Sequence, residues 1–98
     1  MYFLKTPEEI AVSLSERLKK IRLLKKWKRA TLAKRSGVTE ASLKRFEQTG
    51  KVSLDNLLKL VFALGRLDEF NELLSPPTAQ SIKELENLEK QTPKRGTV

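Results

Sequence analysis

Cysteine and histidine are both absent from this 98-residue chain. The first absence removes disulfides and thiolate metal sites, and it is compatible with a reducing compartment. With the second gone as well, the usual acid–base and nucleophile sets of enzymes are missing. No glycine-rich phosphate loop is present and no carboxylates stand at ligand spacing, so neither catalysis nor a metal or cofactor is expected. Long apolar runs are lacking too. The longest spans a few residues, which excludes a membrane-spanning helix, and Met1-Tyr2-Phe3-Leu4 is too short for a signal-peptide core. A cytoplasmic protein is expected. Glycine and proline number four each, so most of the chain is free to continue regular structure and the breaks carry information.

What is abundant is positive charge. The formal net charge of +8 comes from 20 Lys and Arg against 12 Asp and Glu. It is unevenly placed: residues 1–50 hold 13 basic and 5 acidic residues, whereas residues 51–98 hold 7 of each. Between Arg17 and Arg35 lie ten basic residues and no acidic one. A merely solvated helix face would interleave Glu with such a run, so the density points to a surface that faces phosphate. A Lys-rich helix lying on anionic lipid is the rival reading, disfavoured because the apolar side of this segment is needed to cover the helices after it. The 39% of apolar residues is enough for one modest core, which predicts a single small domain with tails.

The stretch RATLAKRSGVTEASLKRFEQTG, from Arg29 to Gly50, organises the rest. Leu32, Ala33, Val38, Leu43 and Phe46 fit two short amphipathic helices broken at Ser36-Gly37. Gly37 tolerates positive φ and so closes the first helix. Thr39 caps the second with its hydroxyl, and Glu40 adds a favourable charge in the first turn. Ala33 is small enough for two steeply crossing helices to approach closely. The pattern is a helix-turn-helix. On its second helix Leu43 and Phe46 point inward, which turns Glu40, Ala41, Lys44 and Arg45 outward toward a major groove. Lys44 and Arg45 suit the guanine acceptors, Glu40 the cytosine amino group, and Ala41 a thymine methyl. Thr39 and Ser42 are better placed for phosphate.

Leu32-Ala33, Ser36-Gly37-Val38, Ser42-Leu43, Arg45, Glu47 and Gly50 together resemble the DNA-binding unit of lambda-repressor-like (Xre-family) regulators. The wording FEQTG with SLDNLLKLVFALG looks most like the HipB-type antitoxins encoded beside HipA-type kinase toxins. The resemblance implies an all-α, five-helix domain with double-stranded DNA as partner and a homodimer on an inverted repeat, in a repressor that regulates its own toxin–antitoxin operon. It also implies an ion pair between Arg22 and Glu47, which reads as a structural strut. The chain departs from the family where the first motif helix begins: Lys28, Arg29, Ala30 and Thr31 replace the usual hydroxyl cap and phosphate-touching Gln. Either Lys28 and Arg29 grip phosphate directly or this helix begins less tightly. Two alternatives to the operon reading are an antitoxin acting through protein contact alone and a stand-alone or phage-type regulator.

Outside the motif, Tyr2, Phe3 and Leu4 are expected to form a short extended arm or dock on a neighbour, and they precede a dense helix start in which Thr6 caps, Pro7 takes the first turn and Glu9 completes a capping box. Ile10, Leu14, Leu18, Ile21 and Leu24 then predict one helix of about five turns ending near Lys26. Its first two turns exceed the family's need, leaving Ile10 and Leu14 open to contact with another chain. Trp27 is expected in the core. Ser53 caps a fourth helix with Leu54, Leu57, Leu58, Val61 and Leu64 inward and Gly65 at its end. A fifth spans Leu67 to Leu74, where Leu67, Phe70, Leu73 and Leu74 divide between core and dimer contact. Ser75-Pro76-Pro77 ends the domain at about residue 75. A capping box at Ser81 and Glu84 before Ile82, Leu85 and Leu88 predicts a short acidic amphipathic helix, packed back on its own domain or used for a partner, and Gln91 to Val98 reads as a basic tail.

Overall fold

The structure, a computed structural model, describes residues 5–77 and 79–91, and every regular element among them is helical. The expected roles of Tyr2, Phe3, Leu4 and the segment after Gln91 lie outside the described residues. The elements are α1 (Pro7–Leu24), α2 (Arg29–Ser36), α3 (Glu40–Thr49), α4 (Leu54–Ala63), α5 (Asp68–Asn71) and α6 (Ala79–Gln91).

Local chemistry sets the boundaries. Thr6 Oγ1 accepts from the Glu9 amide and the Glu9 carboxylate accepts from the Thr6 amide, with Pro7 in the first turn. Both arms of the box therefore satisfy amides that an α-helix leaves without intrahelical partners. At the other end α1 stops at Leu24, two residues earlier than the periodicity predicts, because Lys26 turns to φ 61°. Thr39 and Ser53 cap α3 and α4 through the amides of Ser42 and Asn56. Lys28 heads α2 with no side-chain cap. Gly37 ends α2 at φ 79°.

The core is Leu18, Leu32, Val38, Leu43, Phe46, Leu57, Leu60, Val61 and Leu64. Leu14, Ile21, Trp27 and Phe70 pack against it. Packing joins α1 to α3, α2 to α3 and α2 to α4, so α2 and α3 are held from two sides. Gly50 closes α3 against α1: a Cβ there would stand 2.9 Å from the backbone N of Val12.

Several apolar residues differ from their expected placement. Leu24 is 82% exposed, and of the two residues left open to contact with another chain Ile10 is 50% exposed while Leu14 packs on the core beside the buried line Ser15, Leu18 and Arg22. Leu54 is exposed, whereas Leu60 is completely buried in its stead. In LDNLLKLVFA apolar residues occur all around the helix, and it is the neighbouring helices that select the buried side. The fifth helix is shorter than Leu67 to Leu74, ending at Asn71 in a turn where Leu74 takes φ 60°. Phe70 joins the core, while Leu67, Leu73 and Leu74 are exposed. Finally, α6 begins at Ala79, which places Ser81 inside the helix rather than at its cap.

Candidate nucleic-acid interface

The turn between α2 and α3 is built by residues that satisfy one another. Gly37 donates its amide to the Ala33 carbonyl at 2.9 Å, and the Val38 amide donates to Ser36 Oγ at 3.1 Å. Val38 is 3% exposed and anchors the turn in the core. The two helices are thus fixed at their junction by one backbone bond, the Ser36 hydroxyl and the buried Val38 side chain.

Their relative angle is set by a buried charge cluster. Arg22 of α1 grips Glu47 of α3 bidentately, Nε to Oε2 at 2.7 Å and a terminal nitrogen to Oε1 at 3.0 Å. Its other terminal nitrogen donates to the Trp27 carbonyl at 2.8 Å. Arg29 of α2 adds a bond to Glu47 Oε1 at 2.9 Å. The side chains of Arg22 and Glu47 are 5% and 1% exposed. Burial by itself pushes the Glu47 carboxyl upward, but hydrogen bonds and attraction from the two guanidinium groups outweigh it and hold the group below its ordinary range. One carboxylate therefore ties three helices together.

Arg29 is the residue whose surroundings differ most from the sequence reading. Charge patterning makes it a free cation at the start of α2, whereas the structure engages its Nε with Glu47 and leaves its side chain 30% exposed. Lys28 beside it is exposed. A second partnership without a sequence signal involves Trp27, whose ring lies 4.5 Å from the Arg35 guanidinium carbon and 5.4 Å from Lys25 Nζ, centroid to atom. These contacts hold two cations of the basic run over the indole face.

On α3, Glu40, Ala41, Lys44 and Arg45 are all exposed, opposite the buried Leu43 and Phe46. Gln48 is exposed too. It follows Lys44 by four residues and Arg45 by three, so it shares their face, a neighbour outside the motif residues although the spacing is visible in the sequence. Thr39 Oγ1 donates to Ser42 Oγ at 2.9 Å, which leaves the Ser42 hydroxyl its own proton to donate outward. Ser42 and Arg45 border a polar hollow of about 230 Å³ shared with Lys51, Ser53 and Asn56. The loop and the start of α4 thereby stand beside the outward face of α3, an arrangement no local signal announces. Among the described residues no ion pair engages Lys28, Lys44 or Arg45.

Two helices crossing at a glycine turn, the second presenting an unpaired polar and cationic face beside a basic helix start, define a helix-turn-helix DNA-binding module. The family comparison agrees: residues 17–73, more than half of the chain, match the Cro/C1-type HTH DNA-binding domain, and the chain belongs to that Xre-like family. No curated protein matches the chain significantly. The matched region takes in α1 from its third turn through α5 and leaves out α6. None of the described helices is long and apolar enough to cross a membrane.

Proposed function

We propose that the protein is a sequence-specific transcriptional repressor that binds an inverted repeat as a homodimer, with α3 of each copy in the major groove. The observation that carries this reading is the exposed, unpaired face of α3. Glu40, Ala41, Lys44 and Arg45 read base edges, and Gln48 continues the same face with a side chain suited to adenine. Lys28, at the uncapped start of α2, contributes a cation where free amides already favour an anion. Arg29 reaches phosphate with the nitrogens that Glu47 leaves unused, so it serves strut and contact together. Thr39 and Ser42, with Lys51 and Asn56 from the hollow beside Arg45, hold the DNA backbone and set the register of α3.

The FEQTG wording and the leucine-rich segment after it support a further step: the repressor is the antitoxin of a toxin–antitoxin operon, regulating its own promoter and binding a HipA-type kinase toxin. Exposed Leu67, Leu73 and Leu74, near the end of the matched region, supply apolar surface for a second copy. A gel shift with the chain's own promoter, alongside co-purification with the product of the neighbouring gene, tests both parts. Promoter binding without a kinase partner would leave a stand-alone regulator. A kinase partner without promoter binding would leave an antitoxin that works by contact alone.

A further inference from the structure

A groove of about 310 Å³ lies between α1, α4 and α5, and none of its lining residues belongs to α2 or α3. Its floor is apolar, including Leu14, Ile21, Leu64 and Phe70, and its rim carries Arg17, Lys20 and Arg66. Arg66 is paired with Glu69, but no ion pair engages Arg17 or Lys20 among the described residues. The groove is thus an apolar slot with unneutralised cations along its edge.

The chain carries one element of matching chemistry. In α6, Ile82, Leu85 and Leu88 recur every three residues and form one stripe. At about 100° per residue, Glu84 and Glu86 flank that stripe on either side, Glu89 falls within its arc one turn beyond Leu85, and Lys83 and Asn87 fall on the opposite side of the helix. Acidic edges bordering an apolar stripe complement basic edges bordering an apolar slot. Yet among the described residues α6 does not fill the groove of its own chain. No described residue of α6 lines it, and the substantial interhelix packing among the described residues joins α1 with α3 and α2 with α3 and α4. Leu85 is 48% exposed. A helix of 13 residues with a single apolar stripe has too little area to hold itself together in water, so it requires a surface.

We infer that α6 of one copy docks in the α1/α4/α5 groove of a second copy, its Leu85 stripe on the apolar floor and its glutamates against Arg17 and Lys20. Exchange in both directions gives a closed two-fold pair in which each groove is filled once. The inference rests on the homodimer proposed above and specifies how that dimer is held.

Because the chain has no cysteine, single cysteines report the contact cleanly. Full-length Lys20→Cys and Glu86→Cys copies, one of them enlarged by a tag, are mixed and oxidised. A reducible disulfide between copies of different size, absent when either copy is oxidised alone, is the expected result. Sedimentation should show the unmodified protein as a dimer and Leu85→Asp as a monomer that keeps the helix signal of α1–α5 and loses that of α6. An Arg17→Glu, Lys20→Glu protein should dimerise at least tenfold more weakly and regain the loss when paired with a Glu84→Lys, Glu86→Lys copy. A chain carrying both cysteines that closes on itself as a monomer would overturn the inference, because α6 would then belong to its own groove. A stable dimer that neither cross-links nor responds to Leu85→Asp would overturn it while leaving the dimeric reading intact. A monomer at all concentrations would overturn both.

Discussion

At the scale of single residues the decisive one is Glu47. Its carboxylate is buried with two guanidinium partners, and removing one member of such a cluster leaves uncompensated charge, which costs about 3–5 kcal/mol. Glu47→Ala is therefore expected to lower the unfolding free energy by that amount at neutral pH, measured by urea denaturation. The pH dependence has a definite sign. A carboxyl held below its ordinary value binds protons less readily in the folded state, so its contribution is complete above the usual glutamate range of about 4.3 and is lost as the pH falls through the lowered value. The gap between Glu47→Gln and the parent protein should hence be constant above about pH 5 and shrink in strong acid. Two glycines give a sharper contrast. Both Gly37 and Gly50 have φ near 80°, but an added Cβ at Gly37 meets open space whereas one at Gly50 strikes the backbone of α1. Gly37→Ala should cost about 1 kcal/mol, the strain of the left-handed conformation alone. Gly50→Ala should cost distinctly more and loosen the α1–α3 contact, visible as a larger drop in melting temperature. Gly37 is legible from the sequence as a cap. The close approach at Gly50 is not, since it depends on residues some forty positions away in the chain.

At the scale of elements, the proposed function divides the work between α2 and α3. Lys28→Ala should weaken binding to operator and to random DNA alike, and make the slope of log K against log salt shallower by about one unit, because one phosphate contact is lost. Fold stability should not change, as Lys28 is exposed and caps nothing with its side chain. Arg29→Ala should combine the same loss of affinity with a fall in stability, because Arg29 also holds Glu47. Arg45→Ala should cost about 1–3 kcal/mol on the operator, less on random DNA, and relax preference at one base pair per half-site. Titrations on both DNAs at several salt concentrations, with circular dichroism as folding control, separate the three. The elements themselves are readable wherever caps and glycines mark their ends, as at Thr6, Gly37, Thr39 and Ser53. Reading fails where local signals are absent or misleading: α4 is apolar on too many sides for periodicity to choose Leu60 over Leu54, and the Ser81–Glu84 pattern of a cap lies within a helix that begins earlier. The partnership of Arg29 with Glu47 is hidden for another reason, since charge patterning shows that a cation is present but not which carboxylate folding brings to it.

For the whole molecule, charge and symmetry govern what the fold can do. The basic excess sits in the first half of the chain, where α2 and α3 form the DNA-facing module, and the second half is neutral. In the proposed reading this asymmetry directs phosphate to one part of the surface and gives α6, with its glutamates, to protein contact. A single recognition helix touches only a few base pairs, and the proposed homodimer gains specificity by placing two copies on half-sites about one helical turn apart. The most direct test of sequence-specific binding by a symmetric pair is selection of bound duplexes from a randomised DNA pool by the full chain. The expected result is enrichment of an inverted repeat with half-site centres about 10 base pairs apart, lost on removing the outward side chains of α3. Recovery of no common sequence by a folded protein that still retains DNA would contradict it.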